Sequence, residues 1–184
     1  MTKRRPFRAD DWNSGGQVTS RLRLRGHDYS SPASYLVTIC LQHRQWFFGT
    51  VVGGVMELSV AGLMVESWWH FLPHRYPGVE VDAFVVMPNH VHGIVFIGTE
   101  PLIDDNPPLG TVVGWYKSIT AYDYGIGVSD FGHPPCEGRF WQKGYYERLL
   151  RDERSLEYAR DYIEANPSSW SGDEKNPLRD RQNS

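Results

Sequence analysis

Hydrophobic and polar residues along this chain follow two different periods, and each change of period marks a structural element. Residues 35–41 form an almost continuous β-branched and apolar run, which is typical of a buried strand. Apolar residues at helical spacing predict a helix over residues 55–74, and the Pro77-Gly78 pair marks its exit. Residues 79–87 begin with strict alternation and then become apolar, which predicts a second strand.

Two further elements follow a short turn. Pro88-Asn89 predicts a tight turn, so a strand that begins at His90 should pair with residues 79–87 as an antiparallel hairpin. A second helix is predicted over residues 109–124, where apolar residues again recur at helical spacing. A short extended segment rich in aromatic residues is predicted within residues 139–150.

A third helix closes the pattern. It is predicted to begin at Asp152, which has the character of an N-cap, and to end near Asn166, because Pro167 cannot continue a helix. The resulting order is strand, helix, strand, strand, helix, strand, helix. Its first six elements match the split β-α-β-β-α-β plan of ferredoxin-like folds, with an antiparallel sheet, and the last helix is an addition.

This order predicts one α+β domain over residues 32–170. Residues 1–31 are rich in Arg, Gly, Ser and Asp, which is typical of a flexible leader, and residues 171–184 are predicted to be a polar tail. A length of 184 residues fits one domain with such extensions.

Composition narrows the class of protein. No stretch approaches the roughly 20 apolar residues of a membrane span, and no apolar run follows the basic N-terminus as it would in a secretory signal. Cys40 and Cys136 are far apart and predict neither a disulfide framework nor a metal site. These features favour a reducing cytoplasm.

The net charge of −3 is unevenly distributed along the chain. Residues 1–31 carry seven basic and three acidic side chains, a balance of +4, which leaves −7 for the remainder. A basic N-terminal segment attached to an acidic remainder is compatible with contact between that segment and phosphates. It is equally compatible with a solvated leader that contacts nothing.

Candidate chemistry begins with the two histidines of the third predicted strand. Strand side chains alternate between faces, so His90 and His92 should lie on one face and Val91 on the other. Two imidazoles at this spacing can share one metal ion. Alternatively, they cap the strand and make local hydrogen bonds. The spacing alone leaves both interpretations open.

The last predicted helix adds a second group. Tyr158, Tyr162 and Asn166 are spaced four residues apart and should lie near one helix face. Such tyrosines can be half-buried packing residues, and Asn166 can be a C-terminal cap. Beside a divalent cation, however, a tyrosine can attack a phosphodiester, because the cation polarises the phosphate and orients the phenolate.

These segments together resemble a known family. The His90-Val91-His92 triplet is similar to the His-hydrophobic-His motif of HUH endonucleases. In its context it looks like the REP-associated tyrosine transposase branch of the single-tyrosine HUH transposases. The similarity extends over residues 34–170, and the order and spacing of its motifs carry it. These motifs are residues 83–92, 113–118, 141–146, 151–153 and 161–167.

The resemblance implies a role for each candidate residue. His90 and His92 would bind Mg²⁺ or Mn²⁺, with Asn166 as a third, polar ligand. Tyr162 would be the nucleophile that joins to the 5′ side of a cleaved single strand. The other tyrosines that remain candidates for this role are Tyr145, Tyr146 and Tyr158. The implied activity is that of a metal-dependent endonuclease and strand transferase acting on hairpin DNA of the repetitive extragenic palindromic type.

The predicted DNA contacts lie on the second helix and in the aromatic segment. They are Lys117, Arg139, Lys143, Tyr145 and Arg148. Aromatic side chains there can stack on unpaired bases, although Trp141 is predicted to be a core residue. Arg148 departs from the resemblance, since many relatives carry a histidine at this position.

Two alternative functions stay open at this point. The acidic charge of residues 32–184 and the presence of Arg148 are compatible with a regulator that binds DNA hairpins without turnover. The other alternative is a metal-dependent hydrolase, which would cleave DNA without forming a covalent adduct. The expected protein is a monomer of the cytoplasm, associated with the nucleoid.

Overall fold

The computed structural model describes residues 32–99 and 106–172. The predicted leader and residues 173–184 of the predicted tail lie outside the described residues. The elements are β1 (Ala33–Cys40), a 3-10 turn (Gln42–Arg44), β2 (Gly49–Val52), β3 (Val55–Leu58), α1 (Val60–His70), α2 (Leu72–Arg75), β4 (Val79–Met87), β5 (His90–Ile97), α3 (Leu109–Asp130), β6 (Tyr146–Leu150), α4 (Glu153–Ala165) and a 3-10 helix (Pro167–Gly172).

The main sheet has four antiparallel strands in the order β4-β5-β1-β6. Helix α1 lies in the connection from β1 to β4, and α3 lies in the connection from β5 to β6. This is the split β-α-β-β-α-β connectivity, so the predicted α+β fold is confirmed. The added helix α4 follows the last strand, as the sequence predicted.

The two faces of the sheet are covered by different helices. Because strand residues alternate, Val37 and Ile39 of β1 point into the core that α1 and α3 complete. Leu36 points the other way and packs with Ile94 of β5 and Ile163 of α4. His90 and His92 have the same parity as Ile94, so they face the α4 side. The fold therefore brings the two predicted site groups to one surface of the sheet.

The predicted helix over residues 55–74 is wrong at its start. Val55–Leu58 is strand β3, paired with β2 through a turn in which Gly53 and Gly54 have φ angles of 58° and 81°. Both positions need the left-handed region, which glycine adopts readily and which suits a tight hairpin. The helix begins only after Ser59, whose side chain accepts a hydrogen bond from the Gly62 N–H.

Two other boundaries differ from the prediction. The first long helix ends at His70, and the short α2 follows with Pro73 in its first turn. Helix α3 continues to Asp130 because Tyr124 is buried and stacks on Phe140 with ring centroids 4.4 Å apart. This packing outweighs the low helix propensity of the glycines in its last turns. Within the described parts of the chain, no helix combines the length and apolar character needed to cross a membrane.

Gly93 in β5 is expected to be intolerant of any side chain. An added Cβ would lie 2.3 Å from Cζ2 of Trp69, which is fully buried and stacked on Phe84. We expect Gly93→Ala to lower the free energy of unfolding by about 1–3 kcal/mol, the usual cost of overpacking. Chemical denaturation measures this effect.

Gly114→Ala is the matched control for this measurement. Gly114 lies in α3, and an added Cβ meets nothing within 4 Å. Its replacement should stabilise the protein by about 0.5–1 kcal/mol, because alanine is the better helix former. Equal effects of the two substitutions would contradict the packing argument.

Candidate active site

The two histidines of β5 form a buried pair. His90 and His92 are both fully buried, and their Nε2 atoms lie 3.0 Å apart. The ring planes are nearly perpendicular, at 84°. The two rings thus point the same type of nitrogen at a common position, as the alternation of the strand predicted.

Asn89 fixes the tautomer of His90. Its Nδ2 donates to the Arg44 carbonyl at 3.4 Å, which turns its Oδ1 toward His90 Nδ1 at 2.8 Å. An amide oxygen only accepts, so His90 Nδ1 carries the proton. His90 Nε2 therefore keeps a lone pair, which is the form that binds a metal ion.

Thr38 is the hydrogen-bond partner of His92 Nδ1. It lies directly opposite His92 in the pairing of β1 with β5, and its Oγ1 is 2.7 Å from His92 Nδ1. A hydroxyl can either donate or accept, so it supports both neutral tautomers of His92. The ring can therefore present its Nε2 lone pair without losing its partner.

Tyr162 approaches the pair from α4. Its hydroxyl lies 3.3 Å from His92 Nε2, and the two ring centroids are 5.1 Å apart. Leu156, Ala159 and Ile163 fix this orientation, because they bury the neighbouring face of α4 against the sheet. The sequence separation between Tyr162 and His92 is 70 residues, so the tertiary fold creates the contact.

Polar contacts hold α4 at both its start and its middle. At the N-cap, the Ser155 N–H donates to Asp152, and this hydrogen bond lowers the pKa of the Asp152 carboxyl. The cap is therefore kept at neutral pH and is lost only as the pH falls through that lowered pKa. Further along, Arg160 Nε donates to Asp82 Oδ2 of β4 at 2.9 Å.

Asn166 is the C-cap of α4, one turn beyond Tyr162. Its side chain is buried, and its Oδ1 has no hydrogen-bond partner. A buried amide oxygen without a partner is costly, typically by about 1–3 kcal/mol. Such an atom is suited to a cation, and the ligand role of Asn166 stays a prediction.

The spacing of the two imidazole nitrogens is compatible with one shared divalent ion. Two nitrogens that bind one octahedral ion at about 2.1 Å and about 90° lie about 3 Å apart, close to the 3.0 Å seen here. Across residues 32–99 and 106–172, no three His, Cys, Asp or Glu side chains are grouped for a metal ion. Among these described residues, a third protein ligand would be of another type, such as the Asn166 amide.

We expect Asn166→Ala to weaken Mn²⁺ binding by about 10- to 100-fold, because it removes an oxygen donor. The substitution should change thermal stability in EDTA only slightly, since the orphaned buried oxygen disappears with it. Thermal unfolding with and without Mn²⁺ measures both effects. An unchanged Mn²⁺-dependent rise in Tm would contradict a ligand role for Asn166.

The other tyrosines are placed differently. Tyr146 lies on β6 opposite Thr38, so Thr38 separates it from His92 in the sheet. Tyr158 is an exposed residue one turn before Tyr162, and Tyr145 packs against the core on the other face. The contact of its hydroxyl with His92 favours Tyr162 among the four candidate nucleophiles.

The environments of two more tyrosines, Tyr116 and Tyr124, exclude them as nucleophiles. Burial raises the pKa of Tyr116, and it raises the pKa of Tyr124 to about 12. Their hydroxyls donate to the backbone carbonyls of Val65 and Pro134. Both side chains therefore remain protonated structural phenols.

The predicted DNA-contact residues fall into two groups. Arg148 lies on β6 opposite Leu36, and it lines a small cavity together with Tyr158 and Tyr162. It therefore lies on the tyrosine side of the sheet. Its role in DNA contact stays a prediction.

The remaining predicted contacts surround the loop before β6. Lys117 Nζ donates to the carbonyls of Gln142 at 2.8 Å and Gly144 at 2.7 Å, and burial lowers its pKa. Lys117 thus stabilises this loop. Arg139 and Lys143 are exposed there, while Tyr145 is half-buried. Trp141 is buried and donates to Thr120 Oγ1, as expected for a core residue.

Sequence reasoning missed the residues that support the pair. Thr38 could not be found, because nothing in the sequence states the register between β1 and β5. Asn89 carried a signal, since it directly precedes His90, although only its turn-forming role was predicted. Trp170 was also missed, and its ring lies 5.9 Å from that of His90.

Comparison with protein families matches the part of the chain that carries these residues. The family model described as IS200-like transposase matches residues 74–166, a range that contains His90, His92, Tyr162 and Asn166. An uncharacterized protein of Haemophilus influenzae is 31% identical over 180 residues, which cover 89% of this chain and 96% of that protein.

Two solved structures are also similar. One is described as a REP-associated tyrosine transposase bound to a REP hairpin, with a TM-score of 0.56 and 19% identity, over 78% of this chain and 72% of that one. The other is a putative transposase from Deinococcus radiodurans R1, with a TM-score of 0.48 and 18% identity, over 77% of this chain and 95% of that one. The first of these shares the fold described above.

Proposed function

Because this chain belongs to the IS200-like transposase family, we propose that it cuts single strands of DNA and rejoins them through Tyr162. The resemblance in the sequence motifs is confirmed at the level of the family. The observation that carries the proposal is the 3.3 Å approach of the Tyr162 hydroxyl to His92 Nε2, beside a second imidazole nitrogen. A tyrosine beside two nitrogens that can bind a metal ion supplies the groups that phosphoryl transfer to a phenol requires.

The reaction conserves the phosphodiester bond energy. Tyr162 Oη attacks the phosphorus, a new bond forms between them, and the bond from phosphorus to the 3′ oxygen breaks. The phenol proton ends on the departing 3′ oxygen, directly or through solvent. The 5′ phosphate is then carried on Tyr162. Attack by a second 3′-hydroxyl reverses these steps and restores both the phosphodiester and the phenol.

A divalent ion has a defined place in this proposal. Mg²⁺ or Mn²⁺, held by His90, His92 and Asn166, would polarise the phosphodiester and offset the charge that develops on it. A His92 Nε2 that held the ion could not also form a hydrogen bond with the Tyr162 hydroxyl. The 3.3 Å contact between them would therefore belong to the metal-free site, and the bound ion would leave the Tyr162 hydroxyl available for the reaction.

The substrate is proposed to be a DNA hairpin with an unpaired flank. The solved structure that shares this fold is described as bound to a REP hairpin, and a related palindrome is the natural first substrate to test. The protein is proposed to act as a monomer, in which Tyr162, His90 and His92 of one chain complete the site.

A gel assay for the adduct tests the function. Hairpin oligonucleotides from palindromes that flank the gene are labelled at the 3′ end, because the fragment with the 5′ phosphate stays on the protein. With Mn²⁺, a labelled band should migrate with the protein on a denaturing gel, and EDTA should remove it. Cleavage without an adduct would instead indicate a hydrolase, and binding without cleavage would indicate a regulator.

A further inference from the structure

The loop after β1 has an unusual backbone beside the histidine pair. His43 and Arg44 are consecutive residues with φ angles of 55° and 52°. Side chains with a Cβ rarely adopt this left-handed region, and such strain persists where the surrounding structure requires it. Here it presents the Arg44 carbonyl to Asn89, which in turn sets the tautomer of His90. The loop is therefore fixed relative to the candidate active site.

Two residues further on, the same loop presents an indole to solvent. Trp46 is 37% exposed, so part of its indole ring is open to solvent. Its centroid is 6.1 Å from that of Trp170, and Trp170 is in turn 5.9 Å from the His90 ring. These three rings make a continuous aromatic path from the surface to the metal-binding histidine.

The middle ring of this path is held firmly. Trp170 is buried in the 3-10 helix that follows Asn166, and the Ser169 N–H donates to the Asn166 carbonyl at 3.1 Å. The same helix packs against the β2–β3 turn, where a Cβ at Gly54 would lie 3.4 Å from Cα of Ser168. Trp170 therefore lies between Trp46 and His90 and sets the distance between them.

We propose that Trp46, backed by Trp170, is the stacking platform for an unpaired base next to the scissile phosphate. This proposal rests on the proposed function, because it assigns a residue to the binding of its single-stranded substrate. Single strands are commonly held by aromatic rings that stack on bases, with cationic side chains nearby for the phosphates. The exposed Arg44, two residues before Trp46, supplies such a charge.

Phe131 is a second exposed aromatic residue, and it does not meet these conditions. Phe131 is 75% exposed, but it follows the end of α3, which packs on the face of the sheet opposite His90 and His92. Its place at the end of a helix on that opposite face makes Phe131→Ala the matched control for the loss of an exposed aromatic ring.

The test uses the full chain and a 20-nucleotide randomised single strand that contains 2-aminopurine, a base whose fluorescence is quenched by stacking. Trp46→Ala should weaken binding roughly 5- to 100-fold and lose the quenching, in line with the usual effect of removing one stacking ring. Trp46→Phe should keep most of both properties, and Phe131→Ala should match the wild type.

The outcomes separate this proposal from the proposed function. Wild-type affinity and quenching in Trp46→Ala would overturn the platform, whether or not the wild type forms an adduct with hairpin DNA. If the wild type forms no adduct but Trp46→Ala still loses quenching, the platform stands and the proposed chemistry fails. A loss of binding in Trp46→Ala and Trp46→Phe alike would also overturn it, because a phenyl ring can stack.

Discussion

Tyr162→Phe is expected to abolish the covalent protein–DNA adduct while leaving hairpin binding largely unchanged. The substitution removes one oxygen and keeps the ring, whose centroid lies 5.1 Å from that of His92. Without that oxygen there is no phenolate to attack the phosphorus, so the adduct should fall by at least about a thousandfold. Hairpin binding depends on other surfaces and should remain. The measurement pairs a denaturing gel for the adduct with a binding titration.

Tyr158→Phe provides the matched control on the same helix. Tyr158 lies one turn before Tyr162 and is exposed, so its variant should form the adduct at the wild-type rate. The Mn²⁺-dependent rise in Tm should persist in Tyr162→Phe, since both histidines are still present. Adduct formation by Tyr162→Phe at the wild-type level would overturn the assignment of the nucleophile.

The parts of this site that follow from local periodicity could be predicted from the sequence. Strand alternation placed His90 and His92 on one face, and the four-residue spacing placed Tyr162 one turn before Asn166. The element order also predicted that the last helix is an addition to the sheet. Each of these features depends on residues that are close together in the chain.

The parts that depend on distant contacts could not be predicted. Thr38 meets His92 across 54 residues, and only the register of the sheet brings them together. Trp46 lies in a loop and Trp170 in a short 3-10 helix, and neither segment has a periodic pattern that predicts their contact. Local patterns also failed where two periods overlap, because the four residues of β3 fit both the alternation of a strand and the start of the helical pattern that follows.

Replacing both His90 and His92 with alanine is expected to remove metal-dependent cleavage and metal binding together. The pair supplies two of the three proposed ligands, and the remaining Asn166 amide is a weak, neutral donor. Nicking of hairpin DNA should fall by at least about a thousandfold, because the charge of the phosphoryl transition state would lose its counterion. The Mn²⁺-dependent rise in Tm should vanish, which reports on the metal independently of catalysis.

Two controls separate loss of the metal from loss of the fold. His70 and His74 are exposed on the other side of the sheet, so their double alanine variant should behave as the wild type. Thr38→Val keeps the side-chain shape but removes the hydroxyl 2.7 Å from His92 Nδ1. It should weaken Mn²⁺ binding by about 10- to 100-fold, the usual effect of losing a partner that orients a ligand.

The graded result is the decisive part of this experiment. The metal response should be lost in the His90 and His92 variant, reduced in Thr38→Val and unchanged in the His70 and His74 variant. This gradation is expected because the first pair would bind the ion, Thr38 would only orient a ligand, and the last pair lies elsewhere. Undiminished nicking by the His90 and His92 variant, or by the wild type in EDTA, would refute the metal site. In that case the buried pair would act only through its hydrogen bond to Tyr162, and His92 would be left as the base that receives the phenol proton.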